Sequence, residues 1–163
     1  MKIIDSTTYF EEKLMMEVRF NILDRYVDNF IVSESKYTHS GKKKEINFNK
    51  ENYPDFKKKI IHLIVEQEPE NIDNDIQNKN DYKIRLNSIK RIQEQRDYIK
   101  KALKNFSEND YIIHSDNDEI PNLEKFDLRQ NKRKIVIFKQ KLFYYKFDLI
   151  IKDIDWFGSK ACK

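Results

Sequence analysis

Asp116, Asp118 and Glu119 crowd three carboxylates into the stretch Ser115-Asp116-Asn117-Asp118-Glu119-Ile120-Pro121. Carboxylates this close repel one another unless a cation neutralises them. Hard divalent cations want oxygen ligands, and Mg²⁺ commonly takes one or two carboxylates together with substrate phosphates. The Asp-x-Asp is therefore a candidate metal–phosphate site, with a solvated acidic turn as the plain alternative. Two flanking features favour chemistry. Tyr111-Ile112-Ile113, just ahead of the cluster, reads as a buried strand. Pro121 removes a backbone donor and biases Ile120 away from helix, so the strand stops there. In an open α/β sheet, ligands collect outside the carboxyl ends of the strands.

The elements that must position this cluster follow from periodicity. Residues 2–5 read as a short strand ending in the polar turn Ser6-Thr7-Thr8. Phe10, Leu14, Val18 and Ile22 recur every four residues, which predicts a helix over residues 10–24 with acidic residues in its first turn. Residues 27–35 read as a strand with Glu34 at its carboxyl end. The polar loop 37–44 carries Thr38, Gly41 and Lys42; its lysines suit either solvent or an anion. Residues 59–65 make a third strand, with His62 expected as a hydrogen-bonded core residue. Residues 66–80 lack an apolar period and read as a loop. A long helix is expected over 82–106, with Leu86, Ile89, Ile92, Ile99, Leu103 and Phe106 as its stripe. Arg96 falls on that stripe, so it is expected to be mostly buried and to need a carboxylate or phosphate partner. A short helix over 122–128 and strands over 135–138 and 142–151 complete the reading. The strand–helix alternation predicts one α/β domain spanning 1–163, three-layered, with a mainly parallel sheet.

Composition narrows the class. A mean hydropathy of −0.86 is very polar. Yet the aromatic content of 13%, with eleven Phe and nine Tyr, argues against disorder. The net charge of +4 is too small an excess to mark a nucleic-acid footprint. Cys162 is the lone cysteine, so nothing indicates an oxidising compartment. No run approaches a membrane span and no signal-peptide core is present, so the chain reads as soluble and cytoplasmic.

Three familiar carboxylate motifs can be weighed against the cluster. An EF-hand loop counted from Asp116 would put Ile120 and Pro121 where an oxygen ligand and a glycine are required. A haloacid-dehalogenase-type phosphohydrolase places its Asp-x-Asp on the opening strand, whereas three strands precede this one. A Toprim-like nuclease pairs the motif with an upstream glutamate, a part Glu34 could fill, but Ser35 stands where the usual glycine follows. A fuller correspondence joins several blocks in order: Phe10-Glu11-Glu12 through Glu17-Val18-Arg19-Phe20; Val27 to Ser35, then Tyr37-Thr38-His39-Ser40-Gly41-Lys42; Lys59-Ile60-Ile61-His62; Glu94-Gln95-Arg96; residues 115–121; Phe143-Tyr144-Tyr145; and Trp156-Phe157-Gly158. Together they resemble glycosyltransferase family 17, whose best-known members are β-1,4-mannosyl-glycoprotein N-acetylglucosaminyltransferases.

The resemblance implies a GT-A-like fold, a UDP-sugar donor carrying N-acetylglucosamine, a glycan acceptor and an inverting, metal-assisted transfer. It implies Mn²⁺ or Mg²⁺ bound directly by Asp118, with Asp116 holding the metal through water or contacting the ribose. Glu34, Thr38, Lys42 and Arg96 are the expected nucleotide contacts, and Glu119 is the nearest candidate for the catalytic base. Two departures stand out. Asp97 replaces the asparagine of the family's Gln-Arg-Asn motif, and family members usually continue beyond the Trp-Phe-Gly block. The competing expectation is a truncated remnant that binds a nucleotide sugar without turning it over.

Overall fold

The computed structural model describes residues 1–73 and 81–163. Strands β1 (Ile3–Tyr9), β2 (Asn29–Ser35), β3 (Ile60–Val65), β4 (Tyr111–His114), β5 (Ile135–Tyr144) and β6 (Lys146–Cys162) form one six-stranded sheet in the order β3-β2-β1-β4-β6-β5. β3, β2, β1 and β4 run parallel, whereas β6 is antiparallel to both β4 and β5. Helix α1 (Lys13–Leu23) links β1 to β2, and α2 (Asp81–Asp97) with α3 (Lys100–Leu103) precedes β4. The protein is thus mixed α/β, as its alternating pattern predicts.

Successive strand side chains point to opposite faces. Ile3, Phe30, Val32, Tyr111 and Ile113 pack with Met16, Phe20 and Leu23 of α1. Ile4 and Ile31 face the other way and pack with Ile99 and with Ala102 of α3. Helical segments therefore cover both faces of the parallel strands, which is why each carries a short apolar run: Ile3-Ile4, Phe30-Ile31-Val32, Ile60-Ile61 and Tyr111-Ile112-Ile113. The long β2–β3 connection adds Phe48 and Tyr53 on the α1 side. There the Phe20 ring lies 4.7 Å from Phe30 and 5.1 Å from Tyr53.

Several expectations are corrected. The polar turn at Ser6-Thr7-Thr8 is strand, because β1 runs on to Tyr9. Its buried polar groups are satisfied there: Arg19 pairs with Asp5 and the Ser6 hydroxyl donates to the Ile113 carbonyl at 2.7 Å. In α1 the phase differs. Met16, Arg19, Phe20 and Leu23 are buried, while Leu14, Val18 and Ile22 are exposed. The helix begins after Phe10, and no acidic residue occupies its first turn.

The long helix is broken at Tyr98 and Ile99, where the bonding tightens to three-residue spacing, as in Lys101 N–H to the Tyr98 carbonyl at 3.0 Å. In place of the helix over 122–128 there is only a 3₁₀ turn at Leu128–Gln130. The strand expected at 142–151 is the tip of a hairpin: β5 ends at Tyr144, and Tyr145 turns the chain with φ of 60°. The loop expected over 66–80 lies partly outside the described residues; its 66–73 portion carries neither helix nor strand.

The topology creates a crevice. The chain leaves β1 through α1 toward β2, then returns through α2 to β4 on the opposite edge of β1. Connections that diverge in this way leave a gap outside the carboxyl ends of the two central strands, where ligands settle in such sheets. Asp116 follows β4 at that rim, and Glu34 ends β2 at the same rim. Among the described residues no helix is long and apolar enough to cross a membrane.

Candidate active site

Arg19 shapes the loop that fills the crevice. It is fully buried, and its Nε and Nη2 donate to Asp5 Oδ2 and Oδ1 at 2.8 and 2.6 Å, a two-pronged pair between α1 and β1. Its Nη1 faces three carbonyls, those of Asp116, Asn117 and Glu119, at 3.0 to 3.2 Å. Nη2 also donates to Ser115 Oγ at 2.8 Å. The fixed fork of guanidinium donors suits this work, since each donor direction meets an acceptor.

On that frame the carboxylates take different surroundings. Asp116 Oδ1 accepts from Arg96 Nη2 at 2.5 Å. Arg96 is 40% exposed, which corrects the expectation that it is mostly buried; the carboxylate partner is as expected. Glu119 Oε2 accepts from the Asp116 backbone N–H at 3.1 Å, and Oε1 from the Trp156 indole N–H at 2.8 Å. Ser159 Oγ donates to the Glu119 carbonyl at 2.7 Å. β6 approaches so closely here that a side chain at Gly158 would meet Glu119 Cδ at 2.8 Å. Asp118 is exposed and has no hydrogen bond or ion pair among the described residues.

Among the described residues no group of three or more His, Cys, Asp or Glu side chains converges on a point. The Asp118 carboxylate and Asp116 Oδ2, without a hydrogen bond among the described residues, are the oxygens that a hard cation would draw on.

Two cavities open on either side of the loop, and Asp116, Glu119 and Trp156 line both. The first, of 630 Å³, has Arg96, Lys100, Lys160 and His114 on its wall. Burial first, then Arg96, pushes the His114 imidazole below its ordinary value. Because the Ser6 hydroxyl proton goes to the Ile113 carbonyl, His114 Nδ1, 3.2 Å from Ser6 Oγ, must be the donor of that contact. His114 Nε2 is then left as a bare acceptor. Asp97 lies on the same rim, and its pKa is lowered by Lys100 first and Gln93 next. The second cavity, of 510 Å³, lies between the outer face of α1 and the β5–β6 hairpin.

The remaining expected residues sit elsewhere. Glu34 is fully buried and accepts from Lys44 Nζ and from the N–H groups of Asn47 and Phe48, the latter two at 2.8 and 2.9 Å. That position withdraws it from the Toprim-like arrangement, which needs the glutamate beside the Asp-x-Asp. Thr38 Oγ1 accepts from the Lys42 N–H at 3.0 Å inside its own loop, and Lys42 is exposed; neither lines the two cavities. Arg91 clamps this loop to α2, donating to the His39 carbonyl at 3.2 Å above Gly41, whose φ is 87°. His39 is the loop residue that feels the site: its pKa is lowered by desolvation first and by Arg96 next.

Sequence reasoning assigned no role to Arg19, His114 or Trp156. A signal for Arg19 was present: a lone arginine at helical spacing from Met16 and Leu23, and a carboxylate inside the apolar start of β1.

No curated protein and no solved structure matches this chain. The family model for glycosyltransferase family 17, in contrast, runs over residues 1–162, from β1 to the end of β6, and the chain belongs to that family.

Proposed function

We propose that this glycosyltransferase uses a GT-A-like domain to transfer N-acetylglucosamine from a UDP-linked donor to a glycan acceptor, with inversion and with help from Mn²⁺ or Mg²⁺. The observation that carries the reading is the carboxylate loop at the carboxyl end of β4: Asp118 is exposed and without a partner among the described residues, and Asp116, held by Arg96, lines both cavities. Asp118 is the direct ligand in this reading, and Asp116 reaches the metal through water or holds the ribose. A cation held by these carboxylates would supply positive charge to stabilise the departing diphosphate. The first cavity is the donor cavity in this reading, and Arg96 and Lys100 line it as cations. Thr38 and Lys42 meet the nucleoside end where their loop approaches Arg96, and Glu34 supports that loop from beneath. Glu119 lines both cavities, which suits it to take the proton of the acceptor hydroxyl. The acceptor oxygen bonds to the anomeric carbon as the sugar–phosphate bond breaks, and the nucleoside diphosphate leaves with the electron pair.

Titration calorimetry with UDP in Mn²⁺ and in EDTA tests the reading. Binding is expected in Mn²⁺ alone, weakened by Asp118→Asn more than by Asp116→Asn. Equal binding in both buffers would remove the metal from the site. No binding in either would favour a non-catalytic protein.

A further inference from the structure

The cavity between α1 and the hairpin has a character unlike its neighbour. Its walls carry Val18 and Ile22 from α1 and Phe143 and Tyr145 from the hairpin, and Asp118 and Glu119 line it as well. Val18, Ile22 and Tyr145 are exposed, Tyr145 by 88%. This is the α1 stripe that periodicity marks as core and that no other helix or strand buries among the described residues.

We infer that this second cavity is the acceptor site, and that its occupant is a saccharide lying with an apolar ring face against the aromatic side chains. The inference rests on the glycosyl-transfer reading. Three arguments support it. The cavity joins the donor cavity through Asp116, Glu119 and Trp156, so an acceptor lodged there meets the donor at the carboxylate loop. Its make-up, apolar and aromatic walls with a few convergent polar groups, is that of a small-molecule site. Its volume of 510 Å³ falls within the common range for such sites, roughly 300–1,000 Å³. A pyranose offers C–H groups on one face and hydroxyls on its rim. The rings of Phe143, Tyr145 and Trp156 suit the first, and Glu119 accepts from the second. Lys141 and Lys146 line the same cavity and keep it from being purely greasy, which sets it apart from a lipid groove.

Trp156 makes the test direct, because it is the single tryptophan of the chain and borders both cavities. Its fluorescence is followed while methyl glycosides of glucose, mannose, galactose and N-acetylglucosamine are added, with and without saturating UDP and Mn²⁺. Saturation-transfer NMR on the same samples reports the glycosides themselves. At least one glycoside is expected to bind without displacing UDP. Val18→Gln with Ile22→Gln changes only exposed positions. It is expected to weaken the glycoside by about tenfold and leave UDP binding unchanged. Tyr145→Asn, which tolerates the positive φ, is expected to act in the same direction. The inference is overturned if the glycosides compete with UDP, if the α1 variant binds them normally, or if none binds while UDP does. Binding of a short alkyl alcohol in their place would assign the cavity to a lipid chain and also overturn it. Glycoside binding at this cavity with no UDP binding would sink the donor reading alone.

Discussion

Arg19 is both half of an ion pair and the mould of a loop, and the two roles can be separated. Arg19→Met leaves Asp5 charged and buried without a partner, so it should destabilise by roughly 3–5 kcal/mol. Asp5→Leu combined with Arg19→Met removes both charges and should recover much of that loss in denaturant melts. The double variant should still fail to bind UDP with Mn²⁺, because the carbonyls of Asp116, Asn117 and Glu119 have lost their common donor. A double variant as unstable as the single one, or one that binds UDP normally, would contradict the separation. Arg96 contrasts with it. Its pair with Asp116 is about half exposed on both sides, so Arg96→Ala should cost about 1 kcal/mol or less. Periodicity gave Arg96 a buried place and left Arg19 outside the core. The reason is physical: an arginine can enter a core only with its partner, and the partner, Asp5, is distant in sequence.

The β2–β3 connection is anchored by a buried carboxylate. Burial alone would raise the pKa of Glu34, but His62, the Asn47 N–H, Lys44 and the Phe48 N–H outweigh it and bring it down to about 2. His62 Nε2, 3.6 Å away, acts through proximity, being too far for a formed hydrogen bond. A folded value below the ordinary 4.5 means that this stabilisation is fully present above about pH 4.5 and is lost as pH falls toward 2. The shift corresponds to about 3 kcal/mol. Urea melts between about pH 5 and pH 2 should show the wild type losing its lead over Glu34→Gln as acid is added. Parallel curves would show that Glu34 is not the group responsible. At this scale the parallel strands and the 111–114 strand were legible, since buried strands leave unbroken apolar runs. The phase of α1 was not. Its sequence carries two apolar stripes, and only one can face the sheet.

The molecule divides into a parallel part covered on both faces and a hairpin that projects from it. Only Cys162, Ala161 and Lys160 of β6 pair with β4, while the far end of the hairpin exposes Tyr144, Tyr145 and Leu149. A hairpin held to the sheet at one end should open more readily than the central strands. Amides of residues 142–151 are therefore expected to exchange with solvent well before those of β1 and β2 in hydrogen-exchange mass spectrometry. Equal protection would contradict a loosely held hairpin. The α/β class was legible from alternation. The hairpin was not, because its turn residue is Tyr145 at φ of 60° and no Gly, Asn or Asp marks it.

The grip of Arg19 on the carboxylate loop has an evolutionary consequence. It holds backbone oxygens, which every amino acid carries, so residues 117 and 118 can be rewritten without loosening the hold. Asn117 and Asp118 can therefore be exchanged on an unaltered scaffold. Selection on shape and selection on chemistry then act on different residues.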